Sequence, residues 1–319
     1  MILFTADWHI KLGQKNVPVS WAINRYNLFF KEVYKLEEKC NMHIIGGDLF
    51  DRLPNMEELE LYFSFIRKVK VPTIIFDGNH EATRKNKTFF TQLKQVSRDI
   101  NPLINVVDIS YIDYDLGYGI LPYADLHRKG SIDHFDTNMP LFTHVRGEIP
   151  PHVKPEIDLD LLEDFPVVFA GDLHAHSNCQ RNIVYPGSPM TTSFHRNEVE
   201  TGYILINPDS WEWTWNKFNL PQLIRKTVVD PNQMIPTHFH HTIYEVEGDI
   251  QDLAQVKNSD LLDKKVVRRS ADTALILDKE MSIGEELVEY LTYILELDKE
   301  KIPHILGMFN DYTSKIEMG

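Results

Sequence analysis

The stretch HIIGGDLFD, residues 43–51, decides the fold, because a short apolar run breaks off there into glycine and aspartate. β-Branched residues favour strands, and Gly-Asp after such a run is typical of a turn at the strand end. Four other runs repeat this pattern in the first two-thirds of the chain. They read MILFTADWH (1–9), TIIFDGNHE (73–81), LFTH (141–144) and VVFAGDLHAH (167–176).

Helix-like stretches separate these runs. Residues 21–40 and 56–69 carry apolar side chains at helical spacing, with charged residues opposite them. Strands that alternate with helices indicate βαβ units and a largely parallel sheet, so the predicted fold class is α/β. Residues at the carboxyl ends of such strands converge on one crevice. We therefore expect the five polar strand ends to meet in a single site, although each alone is typical of a turn or a helix cap.

The composition is that of an ordinary globular protein. The 319 residues are 43% hydrophobic and 25% charged, and no apolar run is long enough to span a bilayer. The start of the chain lacks the features of a signal peptide, and two isolated cysteines make neither a disulfide scaffold nor a structural zinc site, so a cytoplasmic location is predicted. A formal charge of −14 argues against bulk attraction to nucleic acid, but a locally basic path remains compatible with it.

The polar residues at the strand ends are carboxylates, imidazoles and one amide. Such a mixed oxygen and nitrogen set suits manganese, iron or zinc better than calcium or magnesium. About seven ligands are too many for one ion and enough for two, which is the arrangement that clamps both oxygens of a displacement at phosphorus. Asp48 is the natural bridging carboxylate. His80 is well placed to protonate a leaving alkoxide or to hold the phosphate.

These motifs resemble those of the calcineurin-like metallophosphoesterases. More narrowly, the chain is similar to the SbcD-type (meiotic recombination eleven-like) DNA nuclease subunits, on the strength of GDLFD at 47–51, YPGSP at 185–189 and the overall length. The resemblance is good over about residues 1–220 and loose beyond. It implies a two-sheet α/β sandwich core over 1–222, a small α+β DNA-capping domain over 223–281 and a helical partner-binding segment over 282–319.

The resemblance also implies a role for each residue of the site. It makes His80 the catalytic histidine and Asp51 a supporting residue that does not touch metal. The implied ligands are Asp7, His9 and His174 for one ion, Asp48 as the bridge, and Asn79, His144 and Asp172 for the second ion.

The last motif departs from the family pattern, which is Gly-His-x-His, because this chain has GDLHAH at 171–176. Anchoring on the glycine makes Asp172 and His174 the ligands, whereas sliding by two makes them His174 and His176. Both registers keep two side chains on the same side of an extended segment. We favour the first, in which a carboxylate hardens the second site toward two Mn²⁺ ions, with Mg²⁺ as a possible substitute.

The predicted function is a manganese-dependent DNA nuclease, an exonuclease on duplex ends and an endonuclease on single strands. By resemblance it acts with an SbcC-type coiled-coil ATPase in DNA end processing, recombination and repair. The sequence has no Gly-x-x-x-x-Gly-Lys-[Ser/Thr] loop, so ATP use is left to that partner. A phosphatase or nucleotide phosphodiesterase of the same superfamily is the alternative. A third hypothesis is a non-catalytic scaffold that binds metal only for folding, in which Asp172 is the change that removes activity.

Other parts of the chain carry candidate contacts with DNA and with partner proteins. Two basic clusters are candidates for DNA phosphate contacts, Arg84 with Lys85 and Lys87, and Lys264 with Lys265, Arg268 and Arg269. Ser282 opens a capping box before one C-terminal amphipathic helix, and Asp298 caps the next. The resemblance implies that these helices hold the ATPase and that residues 56–69 and 89–96 form a homodimer. The short length beyond the capping domain favours a phage source over a cell.

Overall fold

The computed structural model describes residues 1–84, 87–267, 281–295, 297 and 301–316. Its strands are β1 (Ile2–Thr5), β2 (Met42–Gly46), β3 (Thr73–Phe76), β4 (Ala82–Arg84), β5 (Lys87–Thr88), β6 (Ile104–Val107), β7 (Tyr111–Asp113), β8 (Tyr118–Leu121), β9 (Leu141–His144), β10 (Val168–Gly171), β11 (Ile183–Val184), β12 (Gly202–Ile206), β13 (Trp213–Lys217), β14 (Leu223–Val228), β15 (His241–Gly248) and β16 (Leu262–Val267). Its α-helices are α1 (Val19–Glu37), α2 (Met56–Ile66), α3 (Phe90–Ile100), α4 (Tyr123–Leu126), α5 (Ile250–Gln255), α6 (Ile283–Glu289) and α7 (Ile302–Ile316).

Two large mixed sheets organise the fold. The first has six strands in the order β13-β12-β1-β2-β3-β6, with β1, β2, β3 and β6 parallel and the β12-β13 hairpin antiparallel at one edge. The second has five strands in the order β11-β10-β9-β8-β7, parallel except for β7. The predicted α/β class is confirmed. The five predicted strands are all present, but three lie in the first sheet and two in the second.

Aromatic rings pack between the two sheets. Phe4 of β1 lies 5.4 Å from Phe142 of β9 and 5.9 Å from Phe169 of β10, ring centre to ring centre. Alternation along β1 explains this contact, since Ile2 and Phe4 face the second sheet while Leu3 faces the opposite way. Because these rings are almost wholly buried, they hold the carboxyl ends of the two sheets beside one another.

The opposite face of the first sheet carries the helices. Their apolar sides form a second core around Trp8, whose ring lies 4.7 Å from Phe29 of α1 and 4.9 Å from Phe65 of α2. The indole N–H of Trp8 donates to the Thr5 hydroxyl at 3.0 Å, so this large ring is buried with its polar atom satisfied. Because Trp8 is packed in this core, the segment from Asp7 to His9 is held in place.

The described chain forms two compact units. One comprises residues 1–246 and 256–265 and includes β14, residues 241–246 of β15 and residues 262–265 of β16. The other comprises the described parts of 247–255 and 266–319, in which α6 and α7 contact each other. The capping box predicted at Ser282 is confirmed, because its hydroxyl accepts from the backbone N–H of Glu285 and the Glu285 carboxylate accepts from the N–H of Ser282.

The domain boundaries proposed after residues 222 and 281 stay predictions. Lys85, Arg268, Arg269 and Asp298, which carry the basic-cluster and capping predictions, lie outside the described residues. Within the described ranges, the helices are all too short or too polar to cross a bilayer.

Candidate metal centre

The carboxyl ends of β1, β2, β3, β9 and β10 meet at one edge of the two sheets. The residues that follow or end these strands are those predicted from the sequence. Asp7 and His9 follow β1, Asp48 follows β2, Asn79 and His80 follow β3, His144 ends β9, and Asp172 and His174 follow β10.

Four of these residues have left-handed backbone conformations. The φ angles are 57° at Asp7, 45° at His9, 48° at Asp48 and 103° at Asp172. Such conformations cost on the order of 1–3 kcal/mol each for a residue with a Cβ and persist only where the surroundings impose them. Here β1, β2 and β10 each end in a sharp turn at the crevice.

Hydrogen bonds between neighbouring loops hold these turns. The backbone N–H of Asp7 donates to the carbonyl oxygen of Gly47 at 3.1 Å, and that of His9 donates to the carbonyl oxygen of Asp48 at 2.9 Å. The N–H of Asp172 donates to the Asp7 carboxylate at 3.0 Å. The loops after β1, β2 and β10 are therefore coupled, so each ligand position depends on the others.

Glu81 is a residue whose role the sequence reasoning missed. It is wholly buried, and its carboxylate accepts three backbone N–H groups, from Gly78 at 2.8 Å, Asp48 at 2.9 Å and Phe50 at 2.8 Å. It thus joins the loops that follow β2 and β3. Its position directly after His80 was the available signal, because a buried acid beside a polar turn needs donors.

Glycines at two positions leave room for the ligands. A Cβ atom at Gly47, where φ is 83°, would lie 2.4 Å from Nδ1 of His144. A Cβ atom at Gly78 would lie 2.2 Å from Oδ1 of Asp48. These are closer than real side chains approach one another, so both positions require glycine for the imidazole and the carboxylate to stay in place.

Ligand atoms of the acids and histidines converge in three overlapping groups. Within each group all ligand atoms lie within 4.8 Å of one another. The groups are Asp7 with His9 and His174, His9 with Asp48 and His80, and Asp7 with Asp48 and His144. Asp48 belongs to two of them, which is the position expected of a bridging carboxylate.

His144 and its neighbours form one side of the site. Nδ1 of His144 donates to the carbonyl oxygen of Gly46 at 2.9 Å, across the two sheets, and this bond directs Nε2 into the crevice. Nε2 lies 3.2 Å from the amide oxygen of Asn79, 3.5 Å from Oδ1 of Asp48 and 3.8 Å from Oδ1 of Asp172. Four donors from four strand ends thus surround one small volume.

His9 and His174 form the other side. Their Nε2 atoms face each other at 3.0 Å, and Nε2 of His9 is 3.7 Å from Oδ2 of Asp48. His174 is steadied by the Thr192 hydroxyl, 3.2 Å from its Nδ1. Two ring nitrogens this close need a proton or a cation between them, since two lone pairs repel each other.

Protonation of these groups is set by burial and by mutual attraction. Burial lowers the pKa of His9 to about 3 and also lowers that of His174, so both rings are neutral donors of lone pairs at neutral pH. Burial raises the pKa of Asp7 well above its ordinary value. At His144 burial acts to lower the pKa, but the surrounding carboxylates, Asp48 first, outweigh it and raise that pKa well above the usual range.

These residues fit a pair of divalent cations. Asp7, Asp48 and Asp172 bury three carboxylates together, at 0%, 3% and 9% side-chain exposure, a concentration of negative charge that is costly without compensating cations. The donor set of carboxylate, imidazole and amide is one that binds Mn²⁺, Fe²⁺ or Zn²⁺. The geometry is consistent with a dinuclear site.

His80 is 36% exposed at the mouth of the crevice, whereas His9, Asp48 and His144 are buried. Its ring lies perpendicular to that of His9 at 4.7 Å, with Nε2 3.8 Å from Oδ2 of Asp48. Nδ1 donates to the carbonyl oxygen of Asp51 at 2.5 Å, so Nε2 faces the site. The Asp51 carboxylate pairs with Lys11 at 2.7 Å and lies 3.8 Å from Nδ1 of His9.

His176, the ligand of the alternative register, points elsewhere. Its ring stacks on Trp215 at 5.1 Å, and its Nδ1 donates to the carbonyl oxygen of Tyr185 at 2.6 Å. In the described chain it belongs to none of the three ligand groups. Asp172, by contrast, lies beside His144.

Some of the basic side chains outside the site already contact other groups of the protein. Lys264 pairs with Glu245 at 3.0 Å, and Lys265 donates to the carbonyl oxygen of Val256 at 2.7 Å. Lys87 is exposed. The predicted contacts of these clusters with DNA stay predictions.

Comparison with known proteins gives consistent matches. A family model described as calcineurin-like phosphoesterase matches residues 1–176. The probable exonuclease subunit 1 of Escherichia phage T5 is 36% identical over 326 residues, which cover 98% of each chain. The putative phosphoesterase 244L of Invertebrate iridescent virus 6 is 25% identical over 226 residues, 64% of this chain and 75% of that protein.

Solved structures show more distant similarity. A structure described as a novel archaeal phosphodiesterase is 14% identical, with a TM-score of 0.38, and covers 68% of this chain and 99% of its own. TT1561 of Thermus thermophilus is 12% identical, with a TM-score of 0.41, and covers 68% of this chain and 97% of its own.

We expect Glu81→Gln to lower the free energy of unfolding by about 1–3 kcal/mol, because an amide NH₂ would then face a backbone N–H that has no other acceptor. The matched control is Glu60→Gln, since Glu60 is 65% exposed and makes a surface pair with Arg67, worth about 0–1 kcal/mol. Chemical denaturation and metal titration of both variants measure the effect. Equal stability of the two variants would show that the three N–H contacts are unimportant.

We expect metal affinity to rise with pH. The pKa values of Asp7 and His144 are raised, by burial at Asp7 and by the neighbouring carboxylates at His144, so protons compete with a cation for both groups. Affinity should therefore increase roughly tenfold per pH unit for each proton released. Calorimetric titration with Mn²⁺ between about pH 6 and about pH 8, in buffers of different ionisation enthalpy, counts those protons. An affinity that does not change with pH would contradict this.

Proposed function

The chain belongs to the calcineurin-like phosphoesterase family, and from that premise we propose that it is a two-metal, manganese-dependent DNA nuclease. The observation that supports this most is the convergence of three aspartates, three histidines and Asn79 on one cluster around Asp48. The phage relative described as a probable exonuclease subunit, similar over nearly its whole length, supports DNA as the substrate.

We assign the ligands as the family resemblance implies, and the distances among them support that assignment. Asp7, His9 and His174 would hold one ion, Asn79, His144 and Asp172 the other, and Asp48 would bridge them. When bound, such a pair of ions supplies hydroxide near neutral pH and neutralises the phosphate. The position of His176 against Trp215 supports the register that uses Asp172.

The chain's own residues would orient the substrate and move a proton. The backbone N–H of His80 donates to Oδ1 of Asp48 at 3.0 Å and fixes the plane of that carboxylate. Hydrolysis adds water across a P–O bond, and the alkoxide that leaves requires a proton. Protonated His80 can donate it from Nε2, because Nδ1–H is held by the carbonyl oxygen of Asp51.

The proposed function also involves a DNA-capping domain and partner chains. We propose that residues 223–281 cap the DNA path, that the helices after residue 282 bind an SbcC-type coiled-coil ATPase, and that the protein is a homodimer formed through α2 and α3. The word subunit in the name of the phage relative supports a partner chain. Action on duplex ends and on single strands, in DNA end processing, recombination and repair, belongs to the same proposal, as does a cytoplasmic location.

A phosphatase or nucleotide phosphodiesterase is the second candidate. The formal charge of −14 favours it, since a strongly acidic protein repels a polyanion except where its surface is locally basic. The two functions differ in their response to substrate length. A phosphatase hydrolyses small esters rapidly and ignores DNA, whereas a nuclease gains binding from the neighbouring phosphates.

We expect end-labelled linear duplex DNA to be shortened with Mn²⁺, more slowly with Mg²⁺ and not with chelator. His80→Ala should retain metal and lose about 10²–10⁴-fold in rate, because proton transfer to the leaving oxygen is lost. Asp48→Ala should lose metal as well. His176→Ala is the matched control and should cut normally, since its ring lies outside the ligand groups.

The same reactions with bis-p-nitrophenyl phosphate test the second candidate. Rapid hydrolysis of this ester by a protein that leaves DNA intact would replace the nuclease with a phosphodiesterase. Metal-loaded protein that is inert on both would favour a scaffold.

A further inference from the structure

A polar wall stands beside the His144 side of the metal centre. Tyr123, at the start of α4, has its ring perpendicular to that of His144 at 6.1 Å. The Tyr123 hydroxyl donates to Oε1 of Glu156 at 2.6 Å, and Nε2 of His127 lies 3.3 Å from the same oxygen. Glu156 is buried to 9% exposure of its side chain, so these contacts fix that part of the crevice.

Arg146 belongs to this wall and has no role in the mechanism above. It lies two residues beyond His144, and the intervening Val145 is buried with its N–H donating to the carbonyl oxygen of Gly171 at 3.2 Å. The Arg146 side chain lies along the polar wall, because its Nη2 is 4.0 Å from the Glu156 carboxylate that Tyr123 and His127 also contact. The carbonyl oxygen of Arg146 accepts from the N–H of Glu156 at 3.0 Å, which ties the two segments together.

The Arg146 guanidinium is too far from Glu156, its acidic neighbour, to donate a hydrogen bond to it. Nη2 of Arg146 lies 4.0 Å from Oε1 of Glu156, beyond hydrogen-bond distance, and that oxygen is already occupied by Tyr123. The Arg146 side chain is 42% exposed. A guanidinium carries five N–H donors in a planar fork that matches phosphate oxygens. Its donors are thus available to a ligand that enters the crevice.

The distance to the centre defines which phosphate is within reach. Arg146 lies near the centre, because it stands 4.0 Å from the Glu156 carboxylate that holds Tyr123, whose ring is 6.1 Å from that of His144. However, a two-residue extended step spans about 7 Å, which carries Arg146 past the ligands themselves. A nucleic-acid strand offers a second phosphate at a comparable distance from the one that reacts.

We propose that Arg146 binds the DNA phosphate adjacent to the scissile one. Glu156 and Tyr123 act as positioning residues, because they hold the wall from which the guanidinium projects. The inference rests on the proposed nuclease function and deepens it: the centre supplies the chemistry, and Arg146 makes it prefer a polynucleotide over a small ester. Because the chain has a formal charge of −14, a fixed cation beside the metal centre would attract DNA that the protein as a whole repels.

The test uses Arg146→Met, which keeps the aliphatic stem, with Arg181→Met as the matched control. Arg181 is similarly exposed, at 39%, but it pairs with Asp160 at 2.6 Å and Glu163 at 2.9 Å, so the control removes the same charge from another surface. Binding of a fluorescent DNA duplex is measured by anisotropy with Mn²⁺ across a salt series. The His80→Ala background prevents cleavage during the measurement.

We expect Arg146→Met to weaken DNA binding roughly tenfold and to reduce the slope of log K against log salt by about 1, as the loss of one phosphate contact does. Arg181→Met should leave the slope unchanged, and Arg146→Lys should restore it without restoring the full affinity. In the cleaving protein, the loss of kcat/KM on DNA should exceed that on bis-p-nitrophenyl phosphate by roughly tenfold. Mn²⁺ content should equal that of the wild type.

Several results would overturn the inference. An unchanged salt slope, or equal losses on DNA and on the small ester, would place Arg146 away from the adjacent phosphate. Loss of Mn²⁺ in Arg146→Met would show a structural role instead. These outcomes presuppose that the wild type binds DNA. A wild type that neither binds nor cuts DNA would reject the nuclease function itself and this inference with it.

Discussion

The site depends on backbone N–H groups that hold three strand-end turns in strained conformations. Asp7, Asp48 and Asp172 adopt positive φ angles, and none of them is glycine. The cost of these turns is offset by the bonds between loops, including the three N–H groups that the wholly buried Glu81 carboxylate accepts. The negative charge of the three buried carboxylates is left for cations to compensate. The loops therefore form one coupled framework in which no ligand is positioned alone.

The two sheets contribute to that framework in different ways. The first supplies Asp7, Asp48 and Asn79 from parallel strands, and the second supplies His144 and Asp172. The rings of Phe4, Phe142 and Phe169 pack the sheets together, while the bond from Nδ1 of His144 to the carbonyl oxygen of Gly46 joins them at the site itself. A dinuclear centre needs donors on both sides, and two facing sheet ends provide them.

Much of this arrangement follows from local sequence patterns. The five strands, the helices between them and the capping box at Ser282 are set by apolar periodicity and by short-range chemistry, so the sequence alone predicts them. The meeting of Asp7 with Asp48, whose strands are parallel neighbours in one sheet, needed only the rule that parallel strand ends converge. The division of five strands between two sheets and the three contacts of Glu81 did not follow, because both depend on tertiary packing. The position of His176 against Trp215 is also a long-range contact that no local pattern reports.

The central claim is that these strand ends build a site for two ions bridged by Asp48. The most direct test is anomalous X-ray scattering at the manganese edge from crystals grown with Mn²⁺. The account predicts two peaks about 3.5–4 Å apart on either side of the Asp48 carboxylate, with Asp172 beside the second ion. A single peak, or a second ion bound by His176 in place of Asp172, would contradict it.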